Sequence, residues 1–372
     1  MAPRFDFAVI GGGMIGAALA YGLARQGAEV ALLDEGDSAF RAARGNFGLI
    51  WVQGKGVDAP AYANWTRRSA DLWPEFAAEL ESETGVALDY ARPGGLDLCL
   101  SEAELATCRD QMARLEAQSA GRFRYQMLDR RGLADRLSGF GEAGLGEAVL
   151  GACYSPLDGH VNPLALLRAL HAGFRARGGE HRPGWRVDSI SRAAPGFTLG
   201  SGTERLGAER IVLAAGLGNS ALAPQVGLEA RIAPLRGQIL VTERLAPFLP
   251  LPTVCARQSA EGTCLLGDSH EDVGLDEGTT GPVMGDIARR AVACFPFLKT
   301  VRVARAWGAL RIMTPDGAPI YQESEACPGA YLATGHSGVT LAAAHSLVLA
   351  KGIAEGALPG AAAAFGAGRF DS

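Results

Sequence analysis

The stretch "DFAVIGGGMIGAALAYGLARQGAEVALLDEGD", residues 6–37, sets Gly11, Gly13 and Gly16 at G-x-G-x-x-G spacing and carries Asp34 and Glu35 near its end. At this spacing the first glycine permits a tight turn. The second lets the backbone approach a pyrophosphate, and the third lets the next helix pack against the strand before it. The free N–H groups of a helix opening at Met14 and Ile15 would hold phosphate oxygens. Asp34, 18 residues after Gly16, would accept hydrogen bonds from ribose hydroxyls, which favours an adenosine ribose without a phosphate. A glycine triplet can also serve packing alone. Here it lies between an apolar, β-branched run at 7–10 and a helical pattern at 14–26. A second apolar strand at 29–33 then ends on the acid, so the whole strand–helix–strand frame is in register.

The rest of the composition narrows the class. A length of 372 residues suggests two domains, and 48% hydrophobic with 20% charged residues is a folded, globular composition. A net charge of −5 offers no basic footprint for nucleic acid. The seven cysteines (99, 108, 153, 255, 264, 294 and 327) are scattered without a C-x-x-C pair. That pattern reads as reduced thiols rather than a disulfide framework, and no metal site is expected. Asp6 and the glycines interrupt the apolar core a secretory signal would need. No apolar run is long enough to cross a bilayer. A cytoplasmic protein is expected, near a membrane only through partners.

Beyond the first unit lies a glycine-rich passage, "RAARGNFGLIWVQGKG" at 41–56, then a helical pattern at 60–83 and a sheet-like stretch near 95–100. Ser101 should cap a helix running to about residue 118. "SPLDGHVNPLALLRALHAGFRARGG" gives a turn and an amphipathic helix, and "WRVDSISRAAPGFTLGSGTERLGAERIVLAAG" gives three or four strands, the last at 210–214. Residues 231–312 read as sheet-rich. "GAYLATGHSGVTLAAAHSLVLAKGI" gives a strand, a glycine turn and a long apolar helix, before an alanine-rich tail beyond Pro359. The implied fold class is α/β. A Rossmann-like nucleotide domain is expected from 1–89, 151–224 and 313–372, with a sheet-rich α+β substrate domain from 90–150 and 225–312.

This interruption bears on the cofactor, because in a typical nicotinamide enzyme the remaining sheet strands follow promptly. Here the sheet closes at Ala215-Gly216 and Thr334-Gly335. The order of landmarks resembles the D-amino acid oxidase, glycine oxidase and sarcosine oxidase family of flavoproteins. Those landmarks are the opening turn with Asp34, "DGHVNPLALLRAL" at 158–170, "IVLAAG" at 211–216, "PLRGQIL" at 234–240, "WGALRIMTPDGAPI" at 307–320 and "ATGHSGVTLA" at 333–342.

The resemblance implies FAD in a glutathione-reductase-type domain, with the isoalloxazine between the domains and a substrate α C–H facing flavin N5. It places Arg311 where relatives clamp an amino-acid carboxylate, a task suited to the planar guanidinium fork. Alternatively Arg311 pairs with an acid and nothing more. The sarcosine oxidase branch links its flavin to a cysteine two residues before that position. Ala309 stands there in this chain, so non-covalent FAD is expected.

Gly335, His336, Ser337, Gly338, Val339 and Thr340 would line the ring, His336 as a flavin or substrate contact or simply as a turn-filling residue. Gly45, Asn46, Phe47, Gly48 and Leu49 would pass along the flavin, with Val187, Ala215 and Gly216 as further cofactor contacts. Arg41 and Arg44 would reach the pyrophosphate or ribityl chain, or be solvated. The segment 314–317 reads as a turn, beside the flavin or not. Lys55 is one of three lysines. It is either an oxygen-activating cation or a surface lysine, and the family's own oxygen-activating lysine comes from a different segment.

"RGNFGLIWVQGKG" is similar to the β subunits of heteromeric opine oxidases, D-hydroxyproline dehydrogenases and hydrogen cyanide synthases. That likeness implies a partner subunit carrying further redox centres, an iron–sulfur centre or a second flavin. The expected activity is oxidation of a carboxylate-bearing, secondary amine by a dehydrogenase subunit. A stand-alone glycine, sarcosine or D-amino acid oxidase is the alternative. A structural FAD-binding module and a nicotinamide dehydrogenase are rivals of other kinds.

Overall fold

The structure is a computed structural model that describes residues 4–36, 42–43, 45–137 and 144–371. Its largest sheet is assembled from three distant parts of the chain. The central strand, Arg4–Ile10, pairs in parallel with Val30–Asp34 on one side and Glu204–Leu213 on the other. Glu180–Pro183 extends the first side, and Ala330–Thr334 with the antiparallel Ile320–Glu323 extends the second. The core strands are apolar on both faces, as expected of a parallel sheet covered on both sides. The last strand of the 185–216 passage starts earlier than its apolar run. Residues 204–209 are drawn into it by the hairpin partner Phe197–Ser201, a pairing the alternation of that polar segment does not announce.

One face of this sheet is covered by helices Met14–Arg25, Pro60–Thr84 and Pro163–Ala176 and the helical segment from Ala342 to Ala354. Helix Pro60–Thr84 buries Tyr62, Trp65, Thr66, Ser69, Ala70 and Trp73 at helical spacing, so one stripe of large and hydroxylated side chains faces inward. The C-terminal helical segment contains a π-helical turn, His345–Leu349. There His345 Nε2 meets the Tyr321 hydroxyl at 2.7 Å, and the Ser346 hydroxyl donates to Ala18 O at 2.9 Å.

A second, antiparallel sheet runs in the order Ala256–Gln258, Thr263–Leu266, Ala233–Arg244, Val303–Met313. Its long central pair sets Leu235 opposite Arg311 and Gly237 opposite Ala309. Helix Gly281–Cys294, absent from the sheet-rich reading of 231–312, packs on this sheet through Ile287, Ala291 and Cys294. A third sheet joins Gly95–Cys99, Gly151–Ser155 and Gln126–Asp129. Ser101 caps helix Glu102–Gln118 by accepting from Glu104 N, as its position suggests. The seven cysteines are free thiols, six of them buried.

Candidate active site

The glycine turn is built by contact. Gly11 adopts φ +108°, and a Cβ there would lie 2.4 Å from Ala214 O. A Cβ on Gly16 would lie 1.8 Å from Gly11 O, so only glycine lets helix Met14–Arg25 begin this close to the strand. No side chain among the described residues caps that helix, which leaves its first N–H groups directed at the turn. Asp34 is buried and lies on the cavity wall. Its carboxylate accepts from Gly12 N at 2.6 Å and Gly36 N at 3.0 Å, so the acid expected to meet a ribose also braces the turn. His171, which the motif alone does not reveal, meets Gly12 O through Nε2 at 2.9 Å; burial pushes its pKa down to about 4.

From this turn a cavity of about 910 Å³ runs between the large sheet and the antiparallel sheet. Gly11, Gly13, Met14, Ile15, Asp34 and Glu35 line one end, with Val187, Ala215 and Gly216. Gly45, Asn46, Phe47, Leu49, Gly335, His336, Ser337, Gly338, Val339 and Thr340 line the rest, together with Lys55 and Arg311. Two expected contacts stand behind the wall. Gly16 serves packing, and Gly48, at φ +90°, lies against Val161 O and the Arg257 guanidinium. Arg41 and Arg44 lie outside the described residues. Thr314 to Gly317 forms a turn in which Asp316 pairs with Arg369, and it is not part of the wall.

Four buried side chains that sequence spacing does not single out hold the wall in place. Asp158 accepts from Val52 N, Gln53 N and Gln53 Nε2 and so fixes the segment carrying Trp51 and Lys55. Burial pushes its carboxyl up to about 7, against the pull of those N–H donors. Arg257 donates Nε to Phe47 O at 2.8 Å. The Ser69 hydroxyl and Trp73 Nε1 donate to Thr340 O at 2.7 and 3.0 Å, while Trp51 N donates to Thr340 Oγ1 at 3.1 Å. Ser69 and Trp73 lie on the same helix as Tyr62, at helical spacing.

Arg311 reaches the cavity along the strand Val303–Met313. Nη1 donates to Ser269 O at 2.7 Å and Nη2 pairs with Asp268, which also lines the cavity. The arginine therefore pairs with an acid and faces the cavity at once. His270 and Glu277 line the same cavity. Burial holds the His336 imidazole well below its ordinary pKa, and the positive charges of Lys55, Arg311 and His270 push the same way.

These features suit a flavin dinucleotide. The cavity lies within the range of about 300–1,000 Å³ typical of ligand pockets. Trp185 Nε1 and Thr334 Oγ1 are buried without a partner among the described residues, and both residues are on the wall. The backbone N–H groups of Gly338, Val339 and Thr340 find no acceptor among the described residues, so they form a donor set for an electron-rich ring edge. No group of His, Cys, Asp and Glu among the described residues could hold a metal ion.

The family model for FAD dependent oxidoreductase matches residues 6–351. An opine oxidase subunit of Agrobacterium tumefaciens (strain Ach5) is 42% identical over 366 residues, spanning 98% of this chain and 97% of that protein. The corresponding opine oxidase subunit of Rhizobium meliloti is 40% identical over 368 residues, spanning 99% and 98%. The crystal structure of glycine oxidase from Geobacillus kaustophilus shares the fold, with a TM-score of 0.86 over 96% of each chain at 24% identity.

Proposed function

Because the chain belongs to the FAD-dependent oxidoreductase family, we propose that it oxidises the C–N bond of a carboxylate-bearing amine, a secondary amine such as an opine or imino acid. The observation that carries this reading is Arg311, a guanidinium on the wall of the cavity that also holds the glycine turn. FAD would supply the redox step by accepting hydride from the substrate α-carbon at N5. The first turn of helix Met14–Arg25 would hold its pyrophosphate, Asp34 its ribose, and the Gly338–Thr340 N–H groups its ring. Arg311 would take the substrate carboxylate and align the α-carbon, with Asp268 as the carboxylate it exchanges for the substrate's. Ala309 at the position of the covalent cysteine supports non-covalent FAD.

Both opine oxidase relatives are named as subunits. Those names support a further part of the proposal, that the chain works with a partner carrying an additional redox centre. The segments 1–89, 151–224 and 313–372 would form the FAD domain and 90–150 with 225–312 the substrate domain. Among the described residues no helix is long and apolar enough to cross a membrane. Lys55 on the cavity wall favours a second reading, a stand-alone oxidase releasing hydrogen peroxide, since a cation there would stabilise superoxide.

Anaerobic addition of opines, hydroxyproline, proline, sarcosine and glycine to the purified protein tests the main reading. At least one secondary amine should bleach the flavin, and Arg311→Lys should lose most of that reaction while keeping its FAD, because lysine lacks the fork. Bleaching by none of them overturns the proposal. Peroxide formation as fast as dye reduction would select the oxidase.

A further inference from the structure

The segment carrying Trp51 and Lys55 is fixed where it meets the cavity. Asp158 accepts from Val52 N, Gln53 N and Gln53 Nε2, and Trp51 N donates to Thr340 Oγ1 at 3.1 Å. The benzo edge of the Trp51 indole packs on Gly95, where a Cβ would lie 2.4 Å from Cζ3 and 2.6 Å from Cη2. That leaves the pyrrole edge on the far side of the ring. Its Nε1–H finds no acceptor among the described residues and is not sealed in the interior, so it opens on the cavity that the side chain lines. Lys55 follows on the same segment, half-buried and on the same wall. Its Nζ donates to Ser337 Oγ at 2.9 Å. An ammonium has three N–H donors, so two are left for a ligand. No carboxylate among the described residues pairs with Lys55.

The wall therefore holds two cations in unlike states. The Arg311 charge is answered by Asp268, whereas the Lys55 charge meets no acid among the described residues. Both charges bear on the His336 imidazole, which places them around the same part of the cavity. A half-buried charge without a partner forfeits part of its solvation, and an arriving anion restores what was lost. A carboxylate has two oxygens, one for an ammonium N–H and one for an indole N–H.

We infer that Lys55 Nζ and Trp51 Nε1 form a second anion subsite, which takes a second carboxylate of the substrate and selects secondary amines that carry one on each arm. The inference rests on the amine reading above, with Arg311 taking the first carboxylate. An amine with a single carboxylate, such as sarcosine or proline, leaves the Lys55 charge unanswered and binds more weakly. Lys55 stays an ammonium throughout, and no proton moves. Because the second carboxylate does not itself react, its contribution belongs to binding and appears chiefly in KM.

Iminodiacetate and its monoamide, N-(carbamoylmethyl)glycine, test this on the FAD-loaded protein, since they match in size and differ by one charge. Under anaerobic conditions iminodiacetate should bleach the flavin with about 10- to 100-fold higher kcat/KM than the monoamide. Most of that difference should lie in KM. Oxygen is absent, so any action of Lys55 on superoxide does not enter. Lys55→Met should bring the two compounds within about threefold of each other. Lys55→Arg keeps the charge and N–H donors, so it should retain most of the preference. Lys55→Glu should reverse it and take N-(2-aminoethyl)glycine better than iminodiacetate. Trp51→Phe keeps an aromatic ring but not the donor, and should lose about 3- to 10-fold of the preference. A wild type that takes the monoamide as well as iminodiacetate would overturn the subsite. So would a Lys55→Met protein that keeps the preference, and in both cases the amine reading stands. Bleaching by no amine at all, these two included, would end both.

Discussion

Replacing Gly237 by alanine should disable the proposed carboxylate clamp without replacing Arg311 itself. Gly237 is buried in the strand Ala233–Arg244, and the Arg311 side chain from the neighbouring strand lies across it. A Cβ at Gly237 would stand 2.5 Å from both Nη1 and Nη2 of Arg311 and 2.6 Å from Cζ. Non-bonded atoms settle at about 3.5–4 Å, so the guanidinium must retreat by about 1 Å. That movement disrupts the placement set by Ser269 O and Asp268. A charge-assisted pair is worth about 1.5–3 kcal/mol, and at about 1.4 kcal/mol per tenfold its loss corresponds to about 10- to 150-fold in kcat/KM. A misplacement of about 1 Å in a positioning group has a similar cost. Stability should hold or rise, because the displaced atoms end a flexible side chain and alanine suits a strand interior better than glycine. The assay is anaerobic flavin reduction over a range of amine concentrations, with FAD content and Tm measured alongside. A variant with intact FAD and Tm and kcat/KM within about threefold of the wild type would refute the reasoning.

Gly16→Ala should yield protein depleted of FAD, since its Cβ would overlap Gly11 O at 1.8 Å and force the helix N-terminus away from the turn; a full FAD complement would contradict this. Denaturation should release FAD into the supernatant, because Ala309 stands at the covalent-cysteine position; flavin retained by precipitated protein would show a link through another residue. Stability should fall as pH drops below about 6.5. Burial lowers His160 and His171 to about 4 and His345 to about 3, so the unfolded chain takes up protons that the folded chain refuses. Asp158, raised to about 7, and Asp97, raised to about 6, act with the opposite sign between their unfolded and folded values. His345→Gln should therefore flatten the acid-side dependence by about 1.4 kcal/mol per pH unit, measured from urea unfolding at pH 5 and pH 6; an unchanged slope would remove His345 from the account.

What could be read without coordinates was local. The glycine spacing, the acid after the second strand, the Ser101 cap and the helical pattern at 60–83 each follow from a few neighbouring residues, through steric limits and helical periodicity. Helix Gly281–Cys294 escaped because Gly281, Pro282 and Gly285 punctuate its first turns, and only Ile287, Ala291 and Cys294 on it are buried. The expected wall residues came from segments in known order along the chain, and most of them meet at one cavity. What only the tertiary structure decided was partnership. Asp268 faces Arg311 across 43 residues, Asp158 braces Val52 across 106, and Ser337 joins Lys55 across 282 and Tyr62 across 275. Strand register and helix packing create these pairs. No short-range pattern encodes them, because a hydrogen bond depends on distance in space and carries no trace of the length of chain between its ends.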